Sequence, residues 1–263
     1  MARVEWNGSG ERFYEVGVDR GVLYPVSGEG VSWNGLVSVK ETPSGAALTS
    51  YYVDGIKVLD VIDAEEFNAS IEAYTYPVEF EAHDGFTQLG SGLSVATQER
   101  DTFGLCYRTF LGNDISGLDH GYKLHLIYNA IATPTSRSNS TIGDSIDPIT
   151  FSWNISTKAT YVPGSKRSAH IIIDSSKTDP NLLAALEDVL YGKYDTPPRL
   201  PSPSQLVNYF EGDYIFRVVD HLDGTFSVIS TDSAAHYIDA TTFELSYPSV
   251  ISVDTNTYTA SSS

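Results

Sequence analysis

The clearest pattern in the chain is an alternation of apolar and polar residues, which changes phase inside one segment. In FNASIEAYTYPVEFEAHDG (67–85), apolar residues fall on odd positions over 67–73 and on even positions over 74–80. Alternation with a period of two is typical of a strand with one buried face. We therefore predict one long strand here, with a bulge or bend near 74–77 that turns its apolar side over.

The same period recurs elsewhere, so a β-rich fold is expected. Residues 149–156 (ITFSWNIS) and 122–129 (YKLHLIYN) each alternate cleanly and predict strands with one buried face. In YYVDGIKV, Asp54-Gly55 separates two β-rich arms and predicts a two-residue hairpin turn. Residues 213–230 repeat this plan with a longer turn.

A single segment, 180–191, has the pattern of a helix. Asp179 is the expected cap, Pro180 occupies the first helical position, and an apolar stripe of leucines ends at Gly192. We expect this stripe to pack against a sheet rather than to form a ligand groove. The fold class is thus all-β with one flanking helix.

This reading gives a domain plan of three parts. Residues 1–195 form a β-sandwich domain that includes the helix, and the proline-rich stretch 196–204 forms an extended linker. Residues 205–263 form a small β-rich appendage with a polar tail, which is too small to be comfortably stable alone.

Composition and charge narrow the possible functions. The chain has 263 residues, 41% of them hydrophobic, and a net charge of −18. Such an acidic chain is expected to repel nucleic acid, although acidity also serves solubility alone. Cys106 is the only cysteine, which excludes an intrachain disulfide and a cysteine zinc site, and its position in GLCYRTF predicts a core residue. The N-terminus has no apolar signal core, and no apolar run has the length of a membrane span, so we expect folding in the cytoplasm.

Candidate chemistry is sparse. No phosphate-binding loop, H-E-x-x-H, G-x-S-x-G or paired C-x-x-C is present. Asp114 and Asp119 in LGNDISGLDHG are able to ligate a cation, but a Gly, Asn and Asp turn explains them better. Glu72, Glu79 and Glu81 offer carboxylates for a glycosidase acid and base, but a solvated strand face explains them better.

Several blocks in one order, from about residue 11 to 210, carry a resemblance to a known family. They are ERFYEVGVDRGVLYP, GVSWNGLVSV, DGIKVLDVIDAEEFNASIEAYTYPVEFEAHDG, FGLCYRTFLGNDISGLDHGYKLHLIYNAIATP, ITFSWNISTKA and HIIIDSSKTDPNLLAALEDVLYG. Together they resemble the major tail protein, or tail tube protein, of long non-contractile-tailed bacteriophages. The resemblance implies a β-sandwich or partial barrel with one helix and long hairpin arms.

The resemblance also implies assembly into hexameric rings that stack into a hollow tube, with no cofactor and no metal. Six copies would carry 6 × (−18) = −108 charges per ring, so DNA would pass through the acidic channel without binding. Glu72, Glu79 and Glu81 are the candidates for the channel lining. The implied partners are further copies of the chain, the tape measure, the tail terminator and the distal tail protein, in a virion assembled in the host cytoplasm.

We expect two segments, 40–62 and 133–148, to mediate ring stacking. In the first, the hairpin residues Tyr51, Tyr52, Asp54, Gly55 and Lys57 are the candidates, because the hairpin can project from the sandwich. The long loops 85–104 and 133–148 have the length of contact loops. The alternative function is a monomeric β-sandwich module that binds carbohydrate or a cell surface through Tyr and Trp, and a glycoside hydrolase ranks below it.

Overall fold

The chain divides into two compact units, Met1–Ser176 and Lys177–Ser263. The computed structural model describes residue 6 and the ranges 8–26, 28–139, 141, 148–193 and 196–211, together with the backbone of 216–220, 226–230, 235–237 and 243–245. The first unit contains the strands β1 (Phe13–Pro25), β2 (Val31–Ser32), β3 (Leu36–Glu41), β4 (Ser44–Gly45), β5 (Leu48–Val53), β6 (Ile56–Ile62), β7 (Glu65–Glu66), β8 (Asn68–Ala73), β9 (Thr87–Gly90), β10 (Leu93–Val95), β11 (Phe103–Asn113), β12 (Gly117–Pro134), β13 (Phe151–Thr157) and β14 (His170–Asp174), and a 3₁₀ helix η1 (Val78–Ala82).

One antiparallel sheet of eight strands forms the body of the first unit. Its order is β2-β1-β11-β12-β13-β8-β3, with β14 also paired to β12. The described strands form no closed barrel, and the predicted all-β class is confirmed. Residues from the inner faces of β8, β11, β12 and β13 pack together in one hydrophobic core.

The predicted alternation in β13 matches the structure, because Trp153 and Ile155 are buried while Asn154 is exposed. Trp153 is surrounded by aromatic rings, including those of Trp33, Tyr76 and Phe80. The buried core contains Leu23, Trp33, Ala69, Ile71, Ala73, Phe80, Phe103, Leu105, Tyr107, Ile127, Ala130, Ala132, Trp153 and Ile155. The predicted burial of Cys106 is also confirmed.

Strand β12 changes partners in its middle. Residues 123–127 pair with β14, whereas 130–134 pair with β13, and β11 runs along the other edge. Asn129, between the two partners, has a φ of 49°, and its side chain donates a hydrogen bond to the carbonyl of Lys158 at 3.2 Å. The prediction of one buried face is wrong for this strand, since 124–128 are buried on both faces.

The predicted continuous strand over 67–85 is also wrong in its second half. Strand β8 ends at Ala73, and η1 follows from Val78 after Pro77, whose φ of −67° and ψ of 150° start the helix. Proline has no N–H to donate to a ladder, so the alternation does not continue as a strand. The phase change marks the end of the strand instead of a bulge within it.

The second unit contains α1 (Pro180–Tyr191), α2 (Pro203–Glu211) and the strands β15 (Phe216–Asp220), β16 (Phe226–Ser230), β17 (Ala235–Tyr237) and β18 (Phe243–Leu245). Helix α1 has the predicted bounds, and the carboxylate of Asp179 accepts hydrogen bonds from the backbone of Asn181 and Leu182. Four of its leucines are buried. Strands β15 and β16 pair antiparallel over the predicted second hairpin, whose turn at 221–225 lies outside the described residues, as does the polar tail.

Helix α2 begins inside the predicted linker. Ser202 and Gln205 form reciprocal hydrogen bonds, since Gln205 N donates to Ser202 Oγ and Ser202 N donates to Gln205 Oε1. This capping box starts a helix with Pro203 in its first turn, where the missing N–H has no consequence. An extended conformation is therefore wrong for 203–204, while the role of 196–204 as a domain boundary stays a prediction.

No helix in the described part of the chain has the length and apolar character needed to cross a membrane.

Candidate assembly surface

A long hairpin, which we call the arm (residues 44–66), connects β3 to β8. Its base is the pair β4–β7, in which Ser44 faces Glu66, and its outer part is the pair β5–β6. At the base, Asn68 Nδ2 donates to Ser44 Oγ at 2.8 Å. Neither β5 nor β6 pairs with any other described strand, so the outer arm is a two-stranded ribbon.

The tip of the arm is the predicted two-residue turn. Asp54 and Gly55 have φ values of 50° and 77°, and Val53 pairs with Ile56 across them. Positive φ at both central residues is the type I′ geometry, whose twist matches that of the flanking strands. The Asp-Gly sequence adopts it at little cost because Gly lacks a Cβ and Asp tolerates this region.

One face of the arm is polar in its outer part, beyond the exposed pair Leu48 and Ile62. Ser50 faces Asp60 across the ribbon and donates a hydrogen bond to it at 2.6 Å, and Lys57 Nζ lies 2.7 Å from Asp60 Oδ2. The hydrogen bond from Lys57, and then that from Ser50, lower the pKa of Asp60 below its ordinary value. Tyr52 pairs with Lys57 in the same register and lies on this face.

The opposite face of the arm is apolar and exposed. It carries Tyr51, Val53, Ile56, Leu59 and Val61, because Tyr51 faces Leu59, Val53 faces Ile56, and Val61 faces Thr49. The side chains range from 41% exposed at Val61 to 69% exposed at Ile56. This row contains no charged residue. A contiguous exposed apolar face of this kind is typical of an interaction surface.

Other apolar side chains are exposed on a second hairpin and at a sheet edge. Strands β9 and β10 form a hairpin inside the predicted contact loop 85–104, and its Leu89 and Leu93 are exposed.

The first half of β1 pairs only with β11 among the described strands, since β2 reaches only Val22 and Leu23. The other predicted stacking segment, 133–148, includes residues 140 and 142–147 outside the described part.

The structure does not bring the three predicted glutamates onto one face. Glu72 is exposed on the outward face of β8, where it accepts a hydrogen bond from Ser38 Oγ at 3.1 Å. Glu79 and Glu81 lie on η1, the first exposed and the second half-buried. The outward face around Glu72 carries Ser38 and Ser152 as its direct neighbours and the exposed Lys40, opposite Ser70, as a diagonal one, so it is polar and carries both signs of charge.

The structure places the aromatic residues and the aspartate segment as follows. Tyr51 and Tyr52 lie on opposite faces of the arm, and Trp33 and Trp153 are buried, whereas Trp6 is exposed, and carbohydrate binding stays an alternative prediction. The turn after β11 is organised by Asn113, whose Oδ1 accepts hydrogen bonds from the backbone N–H groups of Ile115 and Ser116. These bonds support the turn interpretation of the segment with Asp114 and Asp119.

Sequence reasoning missed two features of the surface and core. The apolar row of the arm could have been predicted from the alternation around the Asp54-Gly55 turn, but only with the register of the hairpin known. A cluster of Glu41, His125 and His170 was not readable, because it joins three strands that are far apart in the chain.

The chain matches no protein-family model and no curated protein. Among solved structures, it is similar to a chain of the sheath–tube complex of an extracellular contractile injection system, PVC, in the extended state, with 15% identity over 59% of this chain and 88% of that chain and a TM-score of 0.29. It is also similar to a chain of the 6-fold symmetrised anti-feeding prophage baseplate (9% identity, 66% and 100% coverage, TM-score 0.32) and to one of the anti-feeding prophage tube-terminating cap (12%, 66% and 97%, TM-score 0.30).

These neighbours are structural components of phage-tail-like assemblies, and they come from contractile systems. The likeness is too weak to carry an argument about this chain. Membership of the non-contractile tail tube family stays a prediction.

Proposed function

We propose that this chain is a structural virion protein of a bacteriophage tail, which self-assembles into hexameric rings that stack into a tube. The observation that carries the proposal is the uncharged, exposed apolar face of the arm. Burying apolar area is the dominant favourable term in most protein association, and this face has no cover within the described chain. The function needs no cofactor and no catalysed reaction.

The occupant we propose for this face is another copy of the chain. With a net charge of −18, two copies repel each other over most of their surface. The apolar row from Tyr51 to Val61 contains no carboxylate, so two copies are able to meet there without bringing like charges together. The outer edge of the first half of β1, which pairs with no other described strand, offers backbone groups to a neighbour as well.

We propose that the arm of one copy packs against the edge of β1 of the next copy, because two arms that meet at the same row would form only a closed dimer. An interface between two different patches is heterologous. Heterologous interfaces close into rings when the rotation allows it and otherwise continue as filaments. Stacked hexamers, which the sequence resemblance implies, combine both outcomes.

The proposed tube conducts genome DNA without binding it. An acidic or neutral wall gives the phosphate backbone no cations with which to exchange counterions, so DNA gains nothing by adhering. We propose that the outward face with Glu72 contributes to this wall and that Glu79 and Glu81 lie near it. The tape measure, the tail terminator and the distal tail protein are the proposed partners, and the tail of the virion, assembled in the host cytoplasm, is the proposed location.

The experiment that tests self-assembly compares two substitutions on opposite faces of the arm. Leu59→Asp places a charge in the apolar row, whereas Tyr52→Asp places the same charge on the polar face at a similarly exposed position (54% and 64% exposed). Sedimentation velocity and negative-stain microscopy of the wild type at rising concentration are expected to show rings or tubes. Leu59→Asp should abolish them, and Tyr52→Asp should retain them.

Two results would contradict the proposal. The first is a wild-type chain that stays monomeric at every concentration and salt condition, because such a chain does not self-assemble. The second is equal assembly by Leu59→Asp and the wild type, which would show that the apolar row is not part of the interface.

A further inference from the structure

A cluster of polar side chains lies at the margin of the core, beside the base of the arm. His125 on β12 faces Tyr107 on β11, and their rings stack with centroids 4.5 Å apart and an interplanar angle of 5°. His170 lies on β14, the neighbouring strand of β12, with its ring 4.2 Å from that of Phe67. Glu41 reaches the two histidines from the end of β3.

The distances among these groups match those of ligands around one metal ion. His125 Nδ1 lies 3.1 Å from His170 Nε2 and 3.4 Å from Glu41 Oε1, and His170 Nε2 lies 3.9 Å from Glu41 Oε1. Tetrahedral zinc with bonds of roughly 2.0–2.1 Å requires about 3.3 Å between ligand atoms. The three atoms therefore form a triangle of nearly the required size, which needs only small side-chain adjustments.

The other ring nitrogen of His125 has the partners expected for a metal ligand. His125 Nε2 lies 3.1 Å from Thr109 Oγ1 and 3.4 Å from Glu15 Oε1. A proton on Nε2 pointing at these oxygens leaves the lone pair on Nδ1, which faces His170 and Glu41. A carboxylate behind a ligating histidine is the usual outer-shell arrangement, because it fixes the tautomer and the ring orientation.

Burial favours the neutral form of both imidazoles. It lowers the pKa of His125, and it lowers the pKa of His170 to about 4, although the carboxylate of Glu41 acts in the opposite direction on both. Neutral imidazole is the form that binds a metal. On Glu41, Tyr107 Oη donates a hydrogen bond to Oε1 at 2.8 Å and so holds the carboxylate beside the histidines.

We propose that Glu41 Oε1, His125 Nδ1 and His170 Nε2 bind one Zn²⁺ ion, with water in the fourth position. Two imidazoles and one carboxylate suit zinc among the common divalent metals. Glu41 is exposed, which gives the ion a path from solvent, whereas His125 is buried. The ion ties β3 to β12 and β14. This site is independent of the proposed assembly of the chain.

The test uses the full chain after dialysis against a chelator. Titration calorimetry with Zn²⁺ and absorption spectroscopy with Co²⁺ are expected to show one ion per chain and the visible bands of four-coordinate Co²⁺. Glu41→Gln and His170→Gln should each weaken Zn²⁺ binding by at least tenfold. His120→Gln is the matched control, since His120 lies on the same strand as His125 but outside the cluster, and it should bind Zn²⁺ as the wild type does.

Further variants keep the test decisive. Tyr107→Phe removes the hydrogen bond to Glu41 without removing a ligand and should weaken binding by about tenfold. Glu41 is on the surface, so Glu41→Gln should fold even if His170→Gln does not, and circular dichroism checks both. A wild-type chain without stoichiometric Zn²⁺ binding would overturn the proposal and leave a histidine–histidine hydrogen bond only. Binding that survives Glu41→Gln, or that His120→Gln also removes, would overturn it as well.

Discussion

Trp153 donates a hydrogen bond from its indole Nε1 to Oδ1 of Asp84 at 2.9 Å, and both side chains are buried. Asp84 follows η1, so this bond fixes the end of that helix against β13. Arg137 pairs with the other carboxylate oxygen, Oδ2, and its guanidinium lies 5.0 Å above the centroid of the Phe151 ring. A buried carboxylate with these two partners links segments that are distant in the sequence.

Asp84→Ala should lower the free energy of unfolding by about 3 kcal/mol. The substitution leaves the buried Nε1–H of Trp153 without its acceptor and Arg137 without its counter-charge, and each loss is costly. Chemical denaturation measures the change. Asp119→Ala, an exposed aspartate near the start of β12, serves as the control and should stay within about 0.5 kcal/mol of the wild type. A loss at Asp84 no larger than at Asp119 would contradict this account.

Asn129→Val should destabilise the first unit by about 2 kcal/mol, whereas Asn129→Gly should stay within about 1 kcal/mol of the wild type. Asn129 has a φ of 49° at the point where β12 changes partners, and a β-branched side chain is strained there while glycine is not. Thermal and denaturant unfolding of both variants measures the difference. Equal losses would assign the effect to the lost hydrogen bond to Lys158 rather than to the backbone.

The fold could be predicted from the sequence where local signals decide it. The Asp54-Gly55 turn, the cap and first turn of α1, and the alternation of Trp153 and Ile155 depend on neighbouring residues alone, and the structure contains all three. The helix α2 also had such a signal, since Ser202 and Gln205 stand at capping-box spacing. The prolines around it indicated an extended segment instead.

The remaining features depend on tertiary contacts that no local pattern encodes. His125 alternates as an outward residue beside Leu124 and Leu126, yet it is buried because β12 is covered on both faces. The histidine cluster requires β3, β12 and β14 to meet, and this pairing is visible only in the fold. The acidic pattern of Glu72 and Glu79 indicated one face, but Pro77 separates them into a strand and a 3₁₀ helix.

Gly45→Ala should impair assembly without lowering the stability of the core. Gly45 has a φ of 86°, and a Cβ at this position would lie 2.2 Å from the carbonyl oxygen of Ala64, so the base of the arm must shift. The proposed interface lies on the outer arm, so the orientation of that interface relative to the sheet depends on the base of the arm. Sedimentation velocity should show less assembly, while the unfolding midpoint of the body changes little.

Gly90→Ala is the matched control for the arm, because a Cβ at Gly90 meets no atom within 4 Å. It should assemble as the wild type does. Normal assembly by Gly45→Ala would show that the direction of the arm does not matter, and unfolding of the whole chain would show that Gly45 supports more than the arm.

Asp60 should titrate below the ordinary aspartate range, and Lys57→Met should bring its pKa back up. Lys57 and Ser50 both donate hydrogen bonds to the ionised carboxylate, which favours the charged form. A folded-state pKa below the unfolded value means that the pair stabilises the hairpin above pH 3.8 and that this contribution is lost as the pH falls through the lowered pKa.

Carbon-13 NMR of the Asp60 carboxyl measures its pKa in the wild type and in each variant. Ser50→Ala should raise this pKa by less than Lys57→Met does. An unchanged pKa in Lys57→Met would show that the ion pair is not formed in solution.

Glu72→Lys should leave tube assembly intact and make assembled tubes retain DNA. In the proposed tube the outward face of β8 lines the channel, where Ser38 and Ser152 are neutral and Lys40 lies diagonal to Glu72, so one substitution replaces the carboxylate of this face by a second cation in every copy. Cations facing the phosphate backbone release counterions, which gives DNA a reason to adhere. Co-sedimentation of labelled DNA with tubes at low and high salt measures retention. Glu65→Lys, on the arm base, is the control, and equal retention by both variants would place Glu72 outside the channel.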